Sequence, residues 1–140
     1  MFETKRDGGI APMKSLIALL FFIHLLLPYA YAEEICDIVD GAVLIAQDDE
    51  DTFLGKFTNK YDTESIFNDY GTYGSKYSTK SIWNQYASFG SKYSTYSPHN
   101  PYTSTPPIIV KGGKIIGYLT ANKSIDSSIS PNLLKALCYE

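Results

Sequence analysis

A 16-residue unit is written three times in a row: KYDTESIFNDYGTYGS (60–75), KYSTKSIWNQYASFGS (76–91) and KYSTYSPHNPYTSTPP (92–107). Six positions keep one residue type throughout: Lys60/76/92, Tyr61/77/93, Thr63/79/95, Ser65/81/97, Asn68/84/100 and Tyr70/86/102. Periodicity this strict implies one small structural unit used three times, each copy covering its neighbour. It also arranges tyrosine, asparagine and serine in regular rows. The middle of each unit reads as a short helical turn, with Ser65 and Ser81 as N-caps and Gly71 as a left-handed terminator. Pro98 and Pro101 in the third copy oppose a helix, so that copy is expected to leave the stack as an extended segment ending at Pro106-Pro107.

The segments on either side resemble each other. Val43-Leu44-Ile45 matches Ile108-Ile109-Val110, Phe53-Leu54-Gly55 matches Ile115-Ile116-Gly117, and Asn59-Lys60 matches Asn122-Lys123. Short β-branched runs bounded by turn residues read as hairpins. Gly112-Gly113 suits a two-residue turn whose residues both need positive φ. Two hairpins are expected to pair into one sheet, because a lone hairpin is marginal in water. Ser130-Pro131 then opens a helix through Leu133, Leu134 and Leu137. The expected fold is therefore α+β: two similar β-hairpins forming a small sheet around the three Tyr/Ser/Asn-rich repeats (60–107), with a short C-terminal helix.

Lys14 precedes the apolar run Leu16–Leu27, which leads into Pro28 and Ala30-Tyr31-Ala32. That order is the pattern of a secretory signal peptide over residues 1–32, with Met13 a suitable start and cleavage after Ala32. The run is shorter than a membrane span and contains His24. Residues 33–140 form the single expected mature domain, with no stable membrane insertion after cleavage. This part carries nine lysines, no arginine and thirteen acidic residues, a net charge of −4. A negative chain without arginine argues against nucleic acid as a partner. Its two cysteines, Cys36 and Cys138, sit near opposite ends, and export implies a disulfide between them. The destination is secreted or periplasmic.

Candidate chemistry is sparse. His99 occupies the repeat position of Phe67 and Trp83, which marks it as a substituted packing residue and not a catalytic base. There is no nucleophile elbow. Asp48–Asp51 lacks the alternating ligands of a calcium loop, and reads as a solvated hairpin tip. Asn122-Lys123-Ser124 would be a glycosylation acceptor only in a eukaryotic secretory route. No catalytic residue, metal or cofactor is expected. The aromatics have two readings. In the first, Ile66, Phe67, Ile82 and Trp83, and the row of Tyr61, Tyr77 and Tyr93, pack the interior. In the second, Tyr70, Tyr73, Tyr86 and Tyr102, with Asn68, Asn84 and Asn100, form a binding surface for sugars or an extended partner. A third expectation is that the Asn amides lock the turns beside them.

The string SIFNDYGTYGSKYSTKSIWNQYASFGSKYSTYSPHNPY, followed by TSTPPIIV, resembles a group of small exported bacterial proteins. They share SIFNxYGxYGSxYS, SIWNxYGxYGSxYS and SPxNPY; the resemblance spans Phe53 to Lys123, with departures at Ala87-Ser88 and Phe89. It implies export and a repeat fold, and transfers no catalytic residue. The expected function is an exported, non-enzymatic binding or structural protein acting on a glycan or a cell-envelope protein. The alternative is a small secreted hydrolase using acidic residues.

Overall fold

The computed structural model describes residues 30–139; the apolar segment assigned to a leader lies outside the described residues except for 30–32. Helix α1 covers residues 30–39. Strands β1 (Val43–Ile45), β2 (Phe53–Lys56), β3 (Ile108–Lys111), β4 (Lys114–Leu119) and β5 (Ser128–Ile129) follow, and helix α2 (Pro131–Cys138) closes the chain. The strands make one sheet in the order β2-β1-β3-β4-β5. The matched segments do form two hairpins, and these meet through their first strands. Val43, Leu44 and Ile45 lie opposite Val110, Ile109 and Ile108 in an antiparallel pair. The fifth strand, parallel to β4, has no signal in the sequence because it is two residues long.

Local chemistry explains the turns. Gly112 and Gly113 adopt φ of +59° and +75°, the region that a Cβ disfavours and that this hairpin turn requires. The acidic tip between β1 and β2 is held by Asp48, whose carboxylate accepts from the Thr52 N–H and hydroxyl at 2.9 and 2.6 Å. Burial raises the Asp48 pKa, but the Thr52 bonds outweigh it and leave the carboxyl below its ordinary value.

Ser130 caps α2 as expected, accepting from the Leu133 N–H, with Pro131 in the first turn. The apolar face is narrower than the sequence suggested: Leu134 is buried, but Leu133 and Leu137 are largely exposed. The two helices are joined by the Cys36–Cys138 disulfide. Lys111 caps α1 from the sheet by donating to the carbonyls of Asp37 and Ile38.

One core is shared by all parts. Leu44, Leu54, Phe57, Ile109 and Leu119 come from the sheet and its margin, Leu134 from α2, and Ile66 and Ile82 from the repeats. Each of these is fully or almost fully buried. Burying such a side chain contributes about 1.5–3 kcal/mol, so the repeats are bound into the domain by their own isoleucines.

The repeats are not helical. They form a continuous train of tight turns with a three-residue step. Asn59, Asp62, Ser65, Asn68 and Gly71 each accept, at their backbone carbonyl, the N–H three residues ahead. Ser75, Ser78, Ser81, Asn84 and Ala87 repeat the pattern, as do Ser91, Ser94, Ser97 and Asn100. Most of these anchors add a second bond, in which the side-chain oxygen accepts the N–H two residues ahead. Examples are Asn59 with Tyr61, Asp62 with Glu64, Ser65 with Phe67 and Asn68 with Tyr70. The predicted N-caps Ser65 and Ser81 thus use their hydroxyls on the expected N–H groups, but to close one turn and not to start a helix. Asn, Asp and Ser favour this arrangement because their short side chains reach their own downstream backbone.

Five triplets and one additional residue make the sixteen. The additional residue is Gly74 in the first copy and Gly90 in the second. A Cβ there would lie 2.1 Å from the backbone oxygen of Asn68 or Asn84, so only glycine fits. Gly71, expected to terminate a helix through a left-handed conformation, keeps negative φ and is one more anchor. The third copy does not exit early. It continues the same turns through Thr103, which bonds the carbonyl of Thr95, because Pro98 and Pro101 stand at the second place of a triplet, where a proline gives up no donor that this pattern uses. Pro106 stands where Gly74 and Gly90 stood, and the train ends there.

Candidate functional site

The three-residue step sorts residues by direction. The serine and asparagine anchors turn inward: Ser65, Ser81 and Ser97 are fully buried and Asn84 is 8% exposed. Of the residues between the anchors, those after Ser65, Ser81 and Ser97 face the interior and most of the others form outer corners. In consequence Tyr61, Tyr77 and Tyr93 are 81–83% exposed, and Tyr70, Tyr86 and Tyr102 are 89–99% exposed. The reading that buried the row of Tyr61, Tyr77 and Tyr93 is corrected: the turn geometry places those rings outside.

The aromatic floor behind them is graded. Phe67 is buried; Trp83 and His99, at the equivalent positions, are half-buried. They form a ladder, with ring centroids 6.5 Å apart from Phe67 to Trp83 and 5.4 Å from Trp83 to His99. Tyr139 stacks on Phe67 at 3.6 Å. Burial and the nearby Asp40 push its hydroxyl up to about 12. Trp83 was expected to be core, yet it keeps one side open. Its Nε1–H donates to the Ile66 carbonyl at 2.5 Å. One repeat later the Ile82 carbonyl acts on the His99 ring and favours its protonated form. His99 is thus the packing substitute that its register suggested. Burial holds its pKa below the ordinary value, only partly offset by Ile82.

The Asn row serves the backbone. The amide N–H groups of Asn68, Asn84 and Asn100 donate at 3.0 Å to the carbonyls of Asp62, Ser78 and Ser94. Their oxygens accept from the N–H groups of Tyr70, Tyr86 and Tyr102 at 3.0–3.1 Å. Both ends of each amide are therefore engaged inside the turn. Tyr73 also leaves the candidate surface, since it is half-buried and meets Phe53 edge-on at 5.0 Å. Asn122 is engaged in the same manner, donating to the Thr103 carbonyl at 2.8 Å.

Between the tyrosine rows lie clefts that recur with the repeat. One of about 400 Å³ is lined by Lys60, Tyr61, Phe67, Asn68, Asp69 and Tyr70. The next, about 520 Å³, is lined by Lys76, Tyr77, Trp83, Asn84, Gln85 and Tyr86, the same positions sixteen residues on. A third, about 600 Å³, opens between the second and third copies and is lined by residues that include Trp83, Tyr86, Lys92, Tyr93 and His99. In each copy the lysine ammonium lies over the following tyrosine ring, at 5.5, 5.4 and 5.1 Å, within cation–π reach. These Lys-Tyr pairs are the site residues that sequence reasoning passed over. Their invariance across all three copies was the available signal.

No cluster of His, Cys, Asp and Glu able to hold a metal occurs among the described residues. No helix among them is long and apolar enough to cross a membrane. No family model, curated protein or solved structure matches this chain.

Proposed function

We propose that this chain is an exported, non-enzymatic binding module that takes a glycan of the cell envelope on its tyrosine face. The observation that carries the reading is the set of six tyrosines, all more than 80% exposed, standing at two repeat-related positions beside recurring clefts. A domain this small gains nothing in stability from leaving so many large rings in water. Tyrosine offers a flat apolar face and a hydroxyl at its rim, the combination that the carbon-bound hydrogens and hydroxyls of a sugar require. The two larger clefts have no carboxylate in their lining, so the paired acids of a glycosidase find no support there. The signal-peptide pattern and the Cys36–Cys138 disulfide support an oxidising destination, periplasmic or secreted.

The test is affinity electrophoresis and a glycan array with the mature protein and its Tyr70→Ala/Tyr86→Ala variant. Saturable binding that the variant loses, with melting unchanged, is the expected result. Binding that survives loss of both rings overturns the assignment of this face. Sugar release from any bound glycan would place the protein among hydrolases instead.

A further inference from the structure

Charge is distributed very unevenly over the repeats. The first copy holds Asp62, Glu64 and Asp69, while residues 75–107 hold Lys76, Lys80 and Lys92 and no acidic residue. The chain as a whole has the opposite balance, fifteen acids against twelve bases. Among the described residues the ion pairs are Lys56–Glu64 and Lys135–Asp69. Among the described residues, the three lysines of the second and third copies form no ion pair. Lys76 and Lys92 hold their ammonium groups 5.4 and 5.1 Å from exposed tyrosine rings and line the two larger clefts.

The polar inventory of those clefts is equally one-sided. A neutral sugar is recognised through amides and carboxylates that bind its hydroxyls. Here the one asparagine in the lining, Asn84, has its oxygen and an amide N–H engaged by the backbone. The other side chains of the lining are cationic, aromatic or apolar, apart from Gln85 and Ser91. The two floor rings of these copies, Trp83 and His99, are half-buried and 5.4 Å apart, close enough for one sugar chain to cross both.

We propose that the second and third repeats bind an acidic polysaccharide, a chain of sugars that carry carboxylates. This inference rests on the glycan reading above and adds the ligand class. The sugar faces lie on Trp83, Tyr77, Tyr86 and Tyr93, and the carboxylates meet Lys76 and Lys92. The same lysines beside aromatic rings could also suit a single-stranded nucleic acid. The acidic whole-chain charge and the absence of arginine from the mature part favour the carboxylated sugar, because a phosphate backbone is bound chiefly by clustered positive charge.

The experiment is isothermal titration of the mature protein with four probes: polygalacturonate, its methyl-esterified form, a neutral β-glucan oligosaccharide and oligo(dT). Polygalacturonate should bind best and weaken several-fold between about 20 and 200 mM NaCl, as screening at the surface requires. Methyl esterification should abolish binding. A Lys76→Gln/Lys92→Gln variant should lose at least about tenfold with its melting unchanged, while Lys114→Gln on the β3–β4 hairpin should bind as wild type. Equal binding of the neutral or esterified glycan, insensitive to the lysine pair but lost in Tyr86→Ala, overturns this inference and leaves the glycan-binding reading standing. Preference for oligo(dT), or no binding of any glycan, overturns both.

Discussion

Asn84→Ala tests whether the asparagine row holds the turn train together. The side chain is 8% exposed, donates to the Ser78 carbonyl and accepts from the Tyr86 N–H. Orphaning two buried groups would cost about 1–3 kcal/mol each, but neither is fully orphaned. The Ser78 carbonyl keeps its bond from the Ser81 N–H, and the Tyr86 N–H belongs to an exposed residue that water can reach. Values near the bottom of that range therefore apply, about 2–3 kcal/mol in all. For a domain of this size that lowers Tm by roughly 8–20 °C. Asn84→Asp separates the two bonds. Its carboxylate still accepts from Tyr86 but faces the Ser78 carbonyl with a second acceptor, so it should also destabilise at neutral pH. Its deficit should shrink in acid, where the protonated carboxyl donates as the amide does. Thermal melts followed by circular dichroism between about pH 3 and 7, with Gln85→Ala as an exposed control, read both effects. If Asn84→Ala melts within about 2 °C of wild type, the reasoning fails and the row has another purpose.

Gly90→Ala should be among the most damaging single changes. Its Cβ would lie 2.1 Å from a backbone oxygen, and denaturant unfolding should show a loss above about 3 kcal/mol. Gly71→Ala, whose nearest contact would be 3.3 Å and whose counterpart is already Ala87, should cost less than about 1 kcal/mol. Reducing the Cys36–Cys138 bond, which spans 102 residues, should lower stability by about 4–5 kcal/mol in the chain-entropy picture; unfolding with and without reductant measures it. His99 is held neutral by burial, with its pKa below 6.5. The unfolded chain therefore binds the proton first, and stability present above about pH 6.5 declines as pH falls through the folded-state pKa. His99→Phe should remove that part of the acid sensitivity. Trp83→Ala empties only a half-buried site, so its cost should fall to about 2–3 kcal/mol, below the usual range for a buried aromatic, by chemical denaturation.

The hairpins were legible because Val43–Ile45 and Ile108–Val110 are β-branched runs bounded by turn residues, and because their likeness to each other foretold their pairing. The cap at Ser130-Pro131 was legible for a similarly local reason. The turn train was misread because Ser65-Ile66-Phe67-Asn68 gives the same signal for a helix start as for an isolated turn. In both, a hydroxyl accepts an N–H two or three residues on. What decides is whether the next anchor comes three residues later. Asn59, Asp62, Ser65 and Asn68 show that spacing, but the stronger sixteen-residue period hides it. The exposure of the tyrosines could not be read at all. Tyrosine suits core and surface equally, and only the direction of each corner settles where the ring goes.

The turn train is fastened to the sheet at two places, the edge strand β2 and the end of β4. In the first copy the Ile66 N–H donates to Lys56 on the outer edge of β2, and the Lys56 N–H donates to Glu64. Two copies later, at the position equivalent to Ile66, the carbonyl of Pro98 accepts from Ala121, just beyond β4. The stack thus lies across the sheet like planks across joists, and its length must equal the width it covers. A chain built this way cannot change its copy number freely, as open-ended repeat arrays do. A fourth unit would overhang the strands that anchor the last one, and a missing unit would leave a gap above the central pair. The sheet acts as a gauge block for the repeats, and the span from β2 to the end of β4 sets how many copies fit.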